Sequence, residues 1–164
     1  LMLRSATTTE TDREMAEYLA GLVNLDIESF GHEIFSNARK VADLPVVDIL
    51  GMDSKAYAAC GQRFAVSQVE VNAADDLLVR KAELLAALRQ RRTGEGLFFT
   101  ALMITDVTTL SSILLVEGDE TFIKKIAFPR LEPGVFRCRD ILSRKKQLIP
   151  LLIEIMETVL GVNA

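Results

Sequence analysis

The stretch Ser143-Arg144-Lys145-Lys146-Gln147 concentrates the charged chemistry of this chain. It lies between an extended run, residues 135–142, and a strongly apolar run, residues 148–160. Ser143 reads as the N-cap of the last helix, its hydroxyl free to accept from a backbone N–H. Three cations follow in the first turn, where the helix already carries roughly half a positive charge, and each should cost roughly a few tenths of a kcal/mol there. An anionic partner makes sense of that placement. Free N–H groups, the helix dipole and the Arg–Lys cluster would then converge on one phosphate. The same residues also read as a solvated basic turn without a ligand, and the stretch alone leaves both readings open.

Other chemistries lack their residues. One histidine, His32, and two distant cysteines, Cys60 and Cys138, do not make a typical zinc site. His32 reads as a surface or packing residue. No GxGxxG or GxxxxGK[ST] pattern, serine elbow or Cys–His pair is present. Carboxylates are plentiful, but none forms a clear i, i+4 ligand cluster. A metal-dependent hydrolase holds its metals with carboxylate and imidazole, and this chain alone does not supply that set.

The 164 residues suffice for one domain with a core. A net charge of −4 argues against nucleic-acid binding through an overall positive field. Two scattered cysteines suit a reduced, cytoplasmic setting, with one disulfide still open. No apolar run approaches the roughly 18 to 20 residues that cross a bilayer, and no signal peptide is visible at Leu1-Met2-Leu3-Arg4. A chain that begins with Leu is expected to be a piece of a longer protein.

The elements that must position the basic turn follow from periodicity. Caps and acids across Thr7 to Asp12 start a helix that carries Met15, Leu19 and Leu22. A second starts near Asp26, with Ile27, Phe30, Ile34, Ala38 and Val41 on one face. Residues 44–50 are ambiguous, although Pro45 suits a first helical turn. A hairpin turns at Cys60-Gly61-Gln62, and the alternation slips between Val66 and Val69, as a bulge would make it. A single helix runs from Asn72 or Ala73 to Arg92, burying Leu77, Val79, Leu84, Leu85 and Leu88. Arg89, Arg91 and Arg92 complement its dipole and receive no ligand. Residues 97–107 read as a central strand covered on both faces, and residues 112–116 as another. A short helix over residues 121–126 and turns at Pro129 and Pro133-Gly134 lead to the last extended run. The final helix, residues 144–160, is apolar on two sides, and Pro150 should bend it or move its start. The expected fold is α/β, a mixed sheet of about four to six strands flanked by helices.

Four stretches, in this order, resemble the C-terminal substrate-gripping (DHHA2) domain of manganese-dependent, family II inorganic pyrophosphatases of the DHH phosphoesterase superfamily. They are Ser5-Ala6-Thr7-Thr8-Thr9, Asp53-Ser54-Lys55-Ala56-Tyr57, Val66-Ser67-Gln68-Val69-Glu70 and the Ser143 to Gln147 turn; Met103-Ile104-Thr105-Asp106-Val107 also fits. The resemblance covers almost the whole chain, so residues 1–164 are expected to form a single DHHA2-like domain. It implies that Lys55, Arg144 and Lys145 bind pyrophosphate or polyphosphate. Ser143 and Lys146 are secondary candidates, and Gln68 and Asp106 would orient the cations, with strand-end packing as their other reading. Mn²⁺ or Mg²⁺ would belong to the N-terminal DHH domain of the same parent chain, whose Asp-His-His motif this sequence lacks. The piece would then hold no metal and no catalytic residue of its own, and would be inactive alone. The parent is further expected to be cytoplasmic and homo-oligomeric, with no nucleic-acid or membrane partner. The rival readings are an exopolyphosphatase domain, a non-catalytic phosphate-binding or regulatory module, and a structural interaction domain whose basic cluster meets an acidic partner surface.

Overall fold

The computed structural model describes residues 3, 8–37 and 41–162, without the side chains of residues 32 and 35–37. The expectations for Ser5, Ala6, Thr7, Ala38 and the His32 side chain lie outside the described residues. The chain divides into two compact units, Leu1–Lys40 and Val41–Ala164.

In the first unit, Thr9 opens helix α1, Glu10–Leu22, with a capping box. The Asp12 amide donates to the Thr9 hydroxyl at 3.2 Å, and the Thr9 amide to the Asp12 carboxylate at 2.7 Å. Donation to the Asp12 carboxylate, first from the Thr9 amide and then from the Thr9 hydroxyl at 2.8 Å, holds the carboxyl below its ordinary value. Asp26 accepts from the Ser29 amide at 2.7 Å at the start of α2, Ile27–Asn37. The expected stripe on this helix stops short of Val41, which lies in a separate 3₁₀ turn, Val41–Asp43, within the second unit.

The second unit is an α/β sandwich around one mixed sheet of six strands. Their spatial order is β1 (Lys55–Ala59), β2 (Gln62–Val71), β3 (Phe99–Asp106), β4 (Ser111–Gly118), β6 (Val135–Arg139) and β5 (Arg130–Glu132). The β2–β3 pair is parallel and every other pair antiparallel. The β1–β2 hairpin turns through Cys60 at φ 53° and Gly61 at φ 70°, the two positive angles a tight two-residue turn demands. Pairing along β2 is continuous from Ala65 to Val71, so the slipped alternation reflects burial of both faces and not a bulge. All of β3 is buried, as a central strand covered on both sides must be.

Helix α3, Val46–Gly51, settles the ambiguous segment, with Pro45 before its first turn. The expected single helix after β2 is two: α4, Asp75–Leu78, and α5, Lys81–Glu95. Arg80 sits at the break, and its Nη1 donates to the carbonyls of Ala42 and Leu44, both at 2.7 Å. Those bonds fix Arg80 outside helical geometry and leave Val79, expected to be buried, 85% exposed. Gly96 then ends α5 in the left-handed conformation. Short α6, Glu120–Lys125, starts at Asp119, which accepts from the amides of Thr121 and Phe122.

Helices α3 and α5 cover one face of the sheet, where Ile49, Leu50, Leu84 and Leu88 meet Leu102, Ile104 and Leu115. Helix α7, Ile149–Leu160, covers the other with Leu152 and Met156, joined there by Phe122 of α6. A column of stacked rings crosses that second core: Tyr57 on Phe64 at 5.3 Å, Phe64 on Phe99 at 4.6 Å, and Phe99 on Phe122 at 4.5 Å. Both cysteines are free thiols, and burial pushes the Cys138 thiol up to about 12.

Candidate anion site

The basic turn is built from the loop after β6. Asp140, at φ 60°, takes the chain out of the sheet, so the extended run stops at Arg139. Three side chains then hold the loop. Ser112 Oγ donates to the Ile141 carbonyl at 2.6 Å, and Gln68 Nε2 to the Leu142 carbonyl at 3.2 Å. Gln147 folds back so that its Oε1 accepts from the Leu142 and Ser143 amides, both at 2.9 Å, while its Nε2 donates to the Asp140 carbonyl at 2.8 Å. The Ser143 hydroxyl caps, accepting from the Lys146 amide at 3.2 Å. Residues 144–148 wind as one wide π turn, in which the Leu148 amide reaches the Ser143 carbonyl and the Ile149 amide reaches that of Arg144. Pro150 has no N–H to continue the pattern from within, and the regular helix begins only at Ile149. Of the two outcomes expected from Pro150, the moved start is the one realised.

This winding turns Arg144 inward and the two lysines outward. Arg144 is 7% exposed, whereas Lys145 and Lys146 are exposed and carry no ion pair among the described residues. The Arg144 Nη2 lies 3.0 Å from the Asp53 carboxylate; its Nη1 donates to the Asp53 carbonyl and approaches that of Val66 at 3.4 Å. Its Nε is buried without a partner. Asp53 takes φ 35°, a left-handed angle uncommon outside glycine. Both its carbonyl and its carboxylate therefore face the guanidinium.

Lys55 follows two residues later, at the start of β1, and its register partner is Val66, whose carbonyl Arg144 approaches. Side chains alternate along a strand, so Lys55 shares the α7 face with Tyr57, whose ring stacks on Phe64 in that core. Lys55 is exposed and has no ion pair among the described residues. The fold thus brings Arg144 to the lead-in of β1 that carries Lys55, beside the middle of β2, with Ser143 as cap and with Lys145 and Lys146 on the exposed side of the same turn.

Gln68 and Asp106 do other work than touching these cations. Gln68 bonds Thr105 Oγ1 at 3.1 Å and the loop carbonyl of Leu142, so it shapes the loop that carries Arg144. Asp106 sits at the end of β3 on the α5 side, alternating with Thr105. It accepts from the amides of Ala74 at 3.2 Å, Thr108 at 2.9 Å and Thr109 at 2.8 Å. Burial opposes its charge, yet the Thr109, Ala74 and Thr108 amides together hold the carboxyl below its ordinary value. Two contributors carry no role in the sequence reading. Asp53 lies in the matched Asp-Ser-Lys stretch, but its left-handed backbone has no sequence signal of the kind glycine gives. Gln147 closes the turn through contacts visible only once the π winding is in place.

Among the described residues, no three carboxylate, imidazole or thiolate groups converge as metal ligands would. Manganese therefore does not fit the described residues of this chain.

The architecture defines an α/β domain that presents a cationic turn beside a strand lead-in. The DHHA2 domain family matches residues 32–155, and the chain belongs to that family. It is 31% identical over 160 residues to a probable manganese-dependent inorganic pyrophosphatase of Shouchella clausii, covering 97% of this chain and 51% of that protein. It is also 31% identical over 151 residues to the manganese-dependent inorganic pyrophosphatase of Methanocaldococcus jannaschii, covering 92% and 49%. A Thermotoga maritima protein named probable manganese-dependent inorganic pyrophosphatase is 29% identical over 157 residues, covering 95% and 29%. A crystal structure from Methanococcus jannaschii, assigned as a family II inorganic pyrophosphatase, superposes with a TM-score of 0.78 at 31% identity, covering 92% of this chain and 49% of that one. The chain spans about half the length, or less, of these curated relatives.

Proposed function

We propose that residues 1–164 form the substrate-gripping domain of a manganese-dependent inorganic pyrophosphatase, with Lys55, Arg144 and Lys145 as its phosphate-binding cations. Membership of the DHHA2 family and the names of the relatives support the reading. The observation that carries it is the meeting of Arg144 with Asp53, 91 residues apart in sequence, which brings the basic turn to the strand that starts with Lys55. Mn²⁺ or Mg²⁺ would be bound by a DHH domain of the parent protein, a share of length that this chain does not cover in its relatives. The two free thiols suit a cytoplasmic setting.

Hydrolysis of pyrophosphate breaks one bond from phosphorus to the bridging oxygen, and negative charge grows on the departing phosphate. Arg144 would meet that charge from a fixed place, its position set by Asp53, the Val66 carbonyl and the π turn. A donor already in position needs no reorganisation as the charge develops. Lys55 and Lys145, on flexible stems, would close on the remaining oxygens as point charges.

Calorimetric titration of the chain with pyrophosphate at low ionic strength tests the site. Binding should weaken about tenfold or more in Arg144→Ala and in Lys55→Ala, the loss of one charge-assisted bond each, and should weaken further as salt screens the cluster. Affinity unchanged by both substitutions would refute the assignment.

A further inference from the structure

The segment that presents Lys55 is held from both faces of the sheet. From the α7 side, Arg144 grips Asp53 through its carbonyl and carboxylate. From the α5 side, Arg91 Nη1 donates to Ser54 Oγ at 2.8 Å and approaches Ser67 Oγ at 3.4 Å. Ser67 is buried in β2 and donates in turn to the Leu50 carbonyl at the end of α3, at 2.6 Å. Glu95 fixes the same guanidinium through Nε at 2.9 Å. Arg91 thus ties α5, β2, the end of α3 and the residue before Lys55 into one knot. In the sequence it reads as one of three arginines complementing a helix dipole.

The lead-in needs such anchors. Asp53 holds an uncommon left-handed angle, a conformation that persists when its surroundings over-determine it. Ser54 connects it directly to Lys55, whose ammonium has no ion pair among the described residues. The backbone alone aims that side chain, and on this side of the sheet Arg91 sets the backbone.

We propose that Arg91 is a positioning residue for the anion site, acting through the Ser54 hydroxyl on Lys55 from the opposite face of the sheet. The inference rests on the function proposed above, and a double-mutant cycle keeps the two separable. Pyrophosphate affinity of the whole chain is measured by calorimetry for wild type, Lys55→Ala, Ser54→Ala, Arg91→Gln and the doubles Ser54→Ala/Lys55→Ala and Arg91→Gln/Lys55→Ala. Ser54→Ala is the decisive single change, because it cuts the connection while leaving every charge in place.

Ser54→Ala and Arg91→Gln should each weaken pyrophosphate binding about 3- to 10-fold in the wild-type background, and less than about twofold once Lys55 is gone, because contacting residues couple and independent ones add. Arg91→Lys, which keeps one donor for Ser54, should recover part of the loss. Full effects of Ser54→Ala and Arg91→Gln that persist without Lys55 would overturn the proposal, as would a Ser54→Ala chain that binds like wild type while Lys55→Ala does not. A purely structural role would lower melting temperature and add independently of Lys55. Should Lys55→Ala and Arg144→Ala both leave affinity unchanged, the anion site itself fails and this inference falls with it, an outcome distinct from the other two. If Arg91→Gln does not fold, Ser54→Ala alone completes the cycle.

Discussion

Replacing Asp53 separates two roles that the structure gives one residue. Its side chain, 56% exposed, pairs through the carboxylate with the Arg144 side chain, which is 8% exposed. Solvent screening at the exposed partner limits the pair to about 1 kcal/mol, and leaving Arg144 with a further unmatched donor adds to the loss, since its Nε is already orphaned. Separately, the φ of 35° costs an ordinary L residue about 1 kcal/mol more than it costs glycine. Asn tolerates that angle and offers an oxygen where the carboxylate was. Asp53→Asn should therefore destabilise by about 0.5 kcal/mol, Asp53→Gly by about 1 to 1.5 and Asp53→Ala by about 2 to 3. For a chain of this size each kcal/mol moves the melting temperature by about 2 to 4 °C, so the Ala variant should melt about 4 to 12 °C below wild type. Urea unfolding followed by circular dichroism gives the ranking. Gly as damaging as Ala would show that the left-handed angle carries no weight, and Asn as damaging as Ala would show that the acceptor does not matter.

Three further outcomes can be checked directly. Because the folded Asp106 carboxyl is held below its ordinary value, its contribution is fully present above the unfolded carboxylate range near about 4 and is lost as pH falls through the lower folded value; Asp106→Asn should flatten that part of the acid-stability curve, and an unchanged curve would refute the three-amide account. A Cβ on Gly118 would sit 2.7 Å from the Phe99 Cβ, so Gly118→Ala should destabilise by about 1 to 3 kcal/mol in a urea melt, and a neutral result would mean that β4 can move away. Gln147→Leu deletes three loop bonds and should speed hydrogen exchange of the Leu142 and Ser143 amides at least about tenfold while leaving β3 protected; equal exchange in both variants would show that the side chain is not the clasp.

What could be read without coordinates follows from where the information is local. The hairpin turn at Cys60-Gly61, the buried strand over residues 99–106 and the cap at Ser143 each declare themselves within a few residues. The break at Val79–Arg80 does not: both segments are good helix sequences, and the carbonyls that hold Arg80 come from residues 42 and 44. The basic turn was visible as a cluster of charge, but the π winding that buries Arg144 and exposes Lys145 depends on Gln147, Gln68 and Ser112 closing the loop. Arg91 was hidden for the same reason, because a helix dipole explains any cation near a C-terminus and the serines that claim it lie in other elements.

The ring column also gives the protein an optical probe. The chain has no tryptophan and two tyrosines, Tyr18 and Tyr57. Tyr57 heads the stack through Phe64, Phe99 and Phe122, and it follows Lys55 by two residues on the same strand. In a Tyr18→Phe variant all tyrosine emission comes from this one position, and the light from a single native phenol then reports, without any label, on the strand that would meet the anion.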